Sequence, residues 1–318
     1  SLIDRRAQAV PAAIRCVYPV AIARGEGAML EDLDGNRFLD WIGGVGVLNI
    51  GYSHPEVIDA VKAQAEQYFH GMFNIVTHEG YVALAEKLAQ LAPVRGTSKK
   101  VFFANSGAEA NECAIKAARK YAADHKGPEY STIITLKNSF HGRTITTLAA
   151  TGQDVFHQYF FPFTEGFSFA KAGDLDSLKD KLDGSVCAVL LECVQGEGGV
   201  VALDKAYVQA VQALCRERDV LLLVDEVQTG AGRTGTFLAC EQLGLQPDVV
   251  TMAKGLGGGL PIGACLCTQA LGGVMSAGMH GSTFGGNPVA CAAGRYMLSR
   301  LTQPAFLEEV ARKGAAIR

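Results

Sequence analysis

Short apolar runs that stop abruptly at polar or glycine-rich segments recur through the chain after Lys99, and helical periodicity lies between or after them. Val101-Phe-Phe-Ala104, Thr132–Leu136, Val186–Leu191 and Val220–Val224 are strand candidates, and positions 108–123, 204–217 and 287–301 carry helical spacing. A strand buried on both faces shows no alternation, because helices cover both sides of a parallel sheet. The alternation therefore predicts an α/β domain with a mostly parallel central sheet. Upstream, Ala28–Asp34, Gly35-Asn36 and Arg37–Asp40 read as a hairpin on an Asp-Gly turn. The same acids fail the ligand spacing of a calcium loop. From Pro55 to about Leu91 the apolar positions Val57, Val61 and Ala65, then Val82, Leu84, Ala85 and Leu88, follow a helical pattern. The chain has no internal repeats and no low-complexity segments.

Bulk properties exclude several function classes. A chain of 318 residues suggests about two domains, and its 48% hydrophobic content suits a sizeable soluble core. A net charge of -3 provides no basic stripe for nucleic acid. No apolar run approaches the roughly 20 residues that span a bilayer. The opening Ser1-Leu-Ile-Asp-Arg-Arg6 lacks the apolar stretch of a secretory signal. Nine cysteines form an odd set without a CxxC pair, and Cys187, Cys215, Cys265 and Cys267 sit in apolar segments. They read as reduced core residues of a cytoplasmic protein. Strand alternation places Cys265 and Cys267 on one buried face, so no metal site is expected.

Two strand ends carry the most chemistry. Asp225 closes Val220–Val224, and Lys254 follows Asp248-Val-Val-Thr-Met-Ala253 and opens Gly255–Gly259. Ligands of open α/β sheets bind at the carboxyl ends of strands, so the acid and the amine would face one crevice. A lysine that forms a Schiff base, opposite an aspartate that pairs a pyridinium nitrogen, is what pyridoxal 5′-phosphate (PLP) requires of its protein. Burial would also lower the lysine pKa towards that of a nucleophile.

Four further segments surround this pair. Asn105-Ser-Gly-Ala-Glu-Ala-Asn111 leads from a strand into a helix whose free amides could cradle a phosphate; it also reads as an ordinary turn capped by Ser106. In Ser139-Phe-His-Gly-Arg143, Phe140 could cover a flat ring and Arg143 could fork onto a carboxylate, or the two could be a core aromatic and a surface cation. Glu192-Cys-Val-Gln-Gly-Glu-Gly-Gly199 puts Glu192 at the ligand edge and presents Glu197, a gate acid or a solvated one. Gly281-Ser-Thr-Phe-Gly-Gly-Asn-Pro288 offers the hydroxyls of Ser282 and Thr283 ahead of a helix. Asp225-Glu-Val227-Gln228 adds Gln228 as a partner for a ring oxygen. A Walker-type magnesium acid would need a phosphate loop that this sequence lacks, and neither glycine cluster matches the dinucleotide fingerprint.

In this order, from about Gly27 onward, the segments resemble the class III (ω-type) PLP-dependent aminotransferases. Asn105–Ala117, Lys137–Gln153, Asp225–Gly235, Ala253–Ala264 and His280–Ala292 are most similar to the acetylornithine aminotransferases. Arg5–Pro11 and Gly43–Leu48 are equally similar to 4-aminobutyrate aminotransferases. The resemblance implies a fold-type I PLP transferase acting as a homodimer with shared sites. Residues 1–50 would belong to a small domain, 51–275 would form the large cofactor-binding domain, and 276–318 would be the connecting loop and the start of a C-terminal small domain. Lys254 would hold the cofactor aldehyde and move the proton, and Asp225 would keep the pyridine nitrogen protonated. Ser106, Gly107 and Ala108 would bind the phosphate. Phe140 would stack on the ring, Val227 would be among the cofactor-binding residues, and Gln228 would contact the phenolic oxygen. Thr283 would reach the phosphate of the neighbouring subunit. Arg143 and Ser282 would touch substrate, and Glu197 would pair with an arginine and switch between amino donor and 2-oxoglutarate.

The expected reaction is N2-acetylornithine plus 2-oxoglutarate to N-acetylglutamate 5-semialdehyde plus glutamate. Transamination of 4-aminobutyrate or another ω-amino acid is the alternative, and a PLP-binding protein without turnover is an alternative of another class. Two departures stand out. Cys193 replaces the proline usual after the glutamate, and the family's C-terminal small domain, with the arginine that Glu197 gates, continues past Arg318.

Overall fold

The computed structural model describes residues 1–317, and it extends the expected hairpin by one strand. Antiparallel β1 (Ile22–Glu26), β2 (Met29–Asp32) and β3 (Arg37–Leu39) form a meander. The Asp32 carboxylate closes the β2–β3 turn, accepting from the amides of Asp34 at 3.0 Å and Asn36 at 2.8 Å. That acid serves the turn itself, and Gly35 supplies the left-handed residue (φ 83°).

The stretch from Pro55 to Leu91 is two helices, Pro55–Ala65 and Glu79–Leu91, instead of one continuous pattern. The interruption has local causes. Met72 has a positive φ of 45°, and the His78 ring lies so close to Gly71 that a Cβ there would sit 2.7 Å from it. His78 then caps the second helix, accepting from the Tyr81 amide at 3.2 Å.

The central sheet contains β4 (Lys99–Ala104), β5 (Thr132–Leu136), β6 (Phe167–Ala170), β7 (Val186–Glu192), β10 (Leu221–Asp225), β11 (Val249–Met252) and β12 (Gly263–Thr268); β8 (Val194–Gln195) and β9 (Val201–Ala202) form a separate small ribbon. Its order is β4-β12-β11-β10-β7-β5-β6. Only β12 runs antiparallel to its neighbours, so the mostly parallel sheet is present. The four-residue edge strand β6 has no counterpart in the sequence reading.

Unbroken apolar runs follow from burial on both sides. Leu221 and Leu223 join the cluster under helix Gly107–His125, while Leu222 and Val224 join the opposite cluster under helices Lys205–Glu217 and Pro288–Leu301. Each such leucine contributes roughly 2 kcal/mol of hydrophobic burial, and truncating one to alanine costs about 2–5 kcal/mol. Cys265 and Cys267 lie on the same buried face, as alternation requires. Among the described residues no helix is long and apolar enough to cross a membrane.

Candidate active site

Strands β4, β5, β7, β10 and β11 deliver their carboxyl ends to one sheet edge, and β12 begins there. A cavity of about 450 Å³ opens at that edge. Ser106, Gly107, Ala108, Phe140, Arg143, Glu197, Asp225, Val227, Gln228 and Lys254 all line it. Ser282 and Thr283 do not. Ser282 stands just outside, its hydroxyl accepting from Asn105 Nδ2 at 3.2 Å, and Thr283 is exposed.

Asp225 is the buried acid at one end. Its Oδ2 accepts from Asn111 Nδ2 at 2.8 Å and lies 2.9 Å from His141 Nδ1, while Oδ1 accepts from the Val227 amide at 3.0 Å. Thr251 on β11 donates to Asn111 Oδ1 at 2.7 Å, which fixes the amide so that its NH2 faces Asp225. Three contacts converging on one buried carboxylate hold it in one orientation.

Lys254 sits at the mouth of a 3-10 turn in the left-handed region, φ 46°. A non-glycine residue there is held against a cost of about 1–3 kcal/mol, which the surrounding glycine-rich loop and packed core must sustain. Its Nζ donates to Gln228 Oε1. Burial depresses the Lys254 ammonium below its ordinary range; the nearby Arg233 charge adds to this, and the carboxylates of Asp225, Glu197 and Glu192 oppose it.

A third corner is built for an anion. Ser106 caps helix Gly107–His125, accepting from the Glu109 amide at 3.2 Å. Among the described residues, the Gly107 and Ala108 amides have no protein acceptor and are left for a ligand at the helix start. Gly107 is sterically required, since a Cβ there would lie 2.7 Å from Val227. Capping and anion binding are thus compatible at this turn.

On the open side, Arg143 is exposed with its guanidinium 4.2 Å from the Phe156 ring centroid and 5.4 Å from that of Phe140. Glu197 is also exposed and has no ion-pair partner among the described residues. Glu192 is buried, and burial pushes its carboxyl up to about 7.

Comparison with known proteins decides the family. The class-III aminotransferase family model matches residues 12–318. The chain belongs to the class-III aminotransferases. It is 53% identical to an acetylornithine aminotransferase of Haemophilus ducreyi, across 95% of this chain and 75% of that protein. A protein of the same name from Caldanaerobacter subterraneus is 46% identical, again over 95% and 75%. Among solved structures, an ornithine aminotransferase of Toxoplasma gondii superposes with a TM-score of 0.91 at 34% identity, covering 100% of this chain and 75% of that one. An N-acetylornithine aminotransferase of Stenotrophomonas maltophilia gives 0.81 at 34% identity, covering 96% and 75%.

Class-III aminotransferases use PLP, and the cavity of this one fits the cofactor from three directions. Free amides at Gly107 and Ala108 suit a phosphate, the buried Asp225 suits a protonated ring nitrogen, and Lys254 supplies an amine between them. Residues not singled out from sequence complete the setting. Asn111 and His141 were visible only as members of longer segments, although Asn111 falls one helical turn after Gly107 on an otherwise alanine-rich face. Arg233 donates to the Gln228 carbonyl at 2.6 Å and to Asn49 Oδ1 at 2.6 Å, tying the N-terminal segment to the cavity floor. The glycines and threonine around it gave it no particular chemistry in sequence.

Proposed function

We propose that this class-III aminotransferase moves the terminal amino group of N2-acetylornithine to 2-oxoglutarate, forming N-acetylglutamate 5-semialdehyde and glutamate in arginine biosynthesis. The observation that carries the reaction class is Lys254 and Asp225 lining one cavity with the free amides of Gly107 and Ala108. The donor assignment is supported by 53% identity, along almost the whole chain, to a protein bearing that activity's name.

Bound PLP supplies an electron sink for the pair left when a proton leaves the carbon that bears the amine. In our reading Lys254 Nζ would hold the cofactor aldehyde and would serve as the base that takes and returns the substrate proton. Burial lowers its pKa, the direction that a lysine base requires. Asp225 would pair with the ring nitrogen, with Asn111 and His141 fixing the orientation of its carboxylate. Gly107 and Ala108 would donate to the phosphate from a turn capped by Ser106. Phe140 and Val227 would pack against the ring, and Gln228, which accepts from Lys254, would contact the ring hydroxyl. Arg143 receives a substrate carboxylate at the open side. Glu197 faces the same opening, where it would gate an arginine between donor and acceptor.

We further infer a homodimer in which Thr283 reaches the partner's phosphate site and Ser282 the partner's substrate. Thr283 is exposed and outside its own chain's cavity, and exposed apolar residues Phe69, Met72, Ile75 and Phe284 lie in the segments around it. The nine free thiols support a reducing, cytoplasmic setting.

The test is glutamate formation from 2-oxoglutarate with N2-acetylornithine, ornithine and 4-aminobutyrate compared in parallel. N2-acetylornithine should give the highest kcat/KM. A higher value for either of the others would overturn the donor assignment.

A further inference from the structure

Strands β7 and β10 end in register on two acids, with Glu192 opposite Asp225. Asp225 is occupied by the cavity floor, whereas Glu192 reaches sideways into two loops. Its Oε2 accepts from the Phe140 amide at 3.0 Å and its Oε1 from the Gly196 amide at 3.3 Å. The first loop carries Phe140 and Arg143; the second carries Glu197. One buried side chain therefore holds the backbone of both segments that face substrate.

The loops also meet directly. Gln195 Nε2 donates to the Lys137 carbonyl at 2.9 Å, and Gly198 lies so close to Asn138 that a Cβ would come within 2.4 Å of its carbonyl oxygen. Glu192 and Gln195, both buried, tie them at separate points, so displacement of one loop is transmitted to the other. Both atoms of a carboxylate are needed, since each oxygen takes one amide. A glutamine of the same shape offers one acceptor oxygen and leaves one amide facing an NH2 group.

We infer that Glu192 is a positioning residue that couples the Phe140–Arg143 loop to the Glu197 loop, so that ring cover and both substrate-facing charges are set as one unit. This rests on the reading of the cavity as the transamination site, but its first test does not need turnover. Hydrogen–deuterium exchange on the holoenzyme should show peptides covering 138–143 and 194–199 exchanging about tenfold faster together in Glu192→Gln. Gln195→Ala, which touches no buried charge, should loosen the same two peptides. The second readout is kinetic: kcat/KM should fall by about 10- to 100-fold in Glu192→Gln, as small misplacements of positioning groups do, while cofactor affinity stays within about threefold. Unchanged exchange, acceleration of only one loop in both variants, or cofactor affinity falling as far as kcat/KM would overturn the inference. If N2-acetylornithine proves not to be the donor, the exchange result still decides the coupling, and the kinetic arm is run with the donor that is used.

Discussion

His141 and Asp225 form a buried pair across two strand ends, with Nδ1 2.9 Å from Oδ2, and the same oxygen accepts from Asn111 at 2.8 Å. An acid held this way is fixed in direction, which is what pairing with a protonated ring nitrogen demands. Asp225→Asn should retain the fold and lose turnover by at least on the order of a hundredfold, the scale of removing one preorganised electrostatic contact. Equal rates in parent and variant would remove Asp225 from the mechanism.

Asn111 acts through Asp225, so its loss should register in stability as well as rate. Asn111→Ala removes a hydrogen bond to a buried carboxylate and strands Thr251, which donates to it. About 2 kcal/mol of unfolding free energy should go, measured by denaturant titration of the cofactor-free protein. A loss below about 0.5 kcal/mol would show that His141 and the Val227 amide hold Asp225 without it.

Glu192 gives a pH signature with a definite sign. Its carboxyl is raised from an ordinary 4.5 to about 7, first by burial and then by the Asp225 charge, against the opposing effects of His141 and the Phe140 and Gly196 amides. An acid raised on folding contributes relative stability that is full below pH about 4.5 and is lost as pH climbs through about 7. The difference in unfolding free energy between Glu192→Gln and the parent should therefore shift towards the variant by roughly 3 kcal/mol between pH 4.5 and 7.5, then level off. A flat difference over that range would mean that Glu192 ionises normally.

Shared sites make a mixing prediction. Thr283→Ala should weaken cofactor retention, and a mixture with Lys254→Ala should regain activity, because heterodimers contain one site with both residues intact. Random exchange at equal amounts gives about a quarter of all sites intact. No recovery after verified subunit exchange would count against a cross-subunit role.

The positions of Asp225 and Lys254 were legible because each stands where a fully buried run ends, and a doubly covered sheet prints such runs plainly. Helix Gly107–His125 was legible too, through its Ser106 cap and alanine face. What escaped depended on contacts between distant segments. Nothing local in Asn111 or His141 reveals that both converge on an acid a hundred or so residues away in sequence, as the fold makes them do. The left-handed backbone of Lys254 is likewise imposed by the loop around it. Edge strand β6 is four residues long and follows the aromatic and proline cluster Phe160–Phe163, so its period had no room to appear. The break after Ala65 escaped because helical apolar spacing resumes at Val82, beyond Gly71 and His78.

The central claim is that Lys254 carries the cofactor and surrenders it to an amino donor. Borohydride reduction of the PLP-loaded protein, followed by peptide mass spectrometry, tests both halves at once. The phosphopyridoxyl label should lie on Lys254, and prior incubation with N2-acetylornithine in the absence of 2-oxoglutarate should remove it. A label on another lysine, or one that N2-acetylornithine leaves undiminished, would contradict the account.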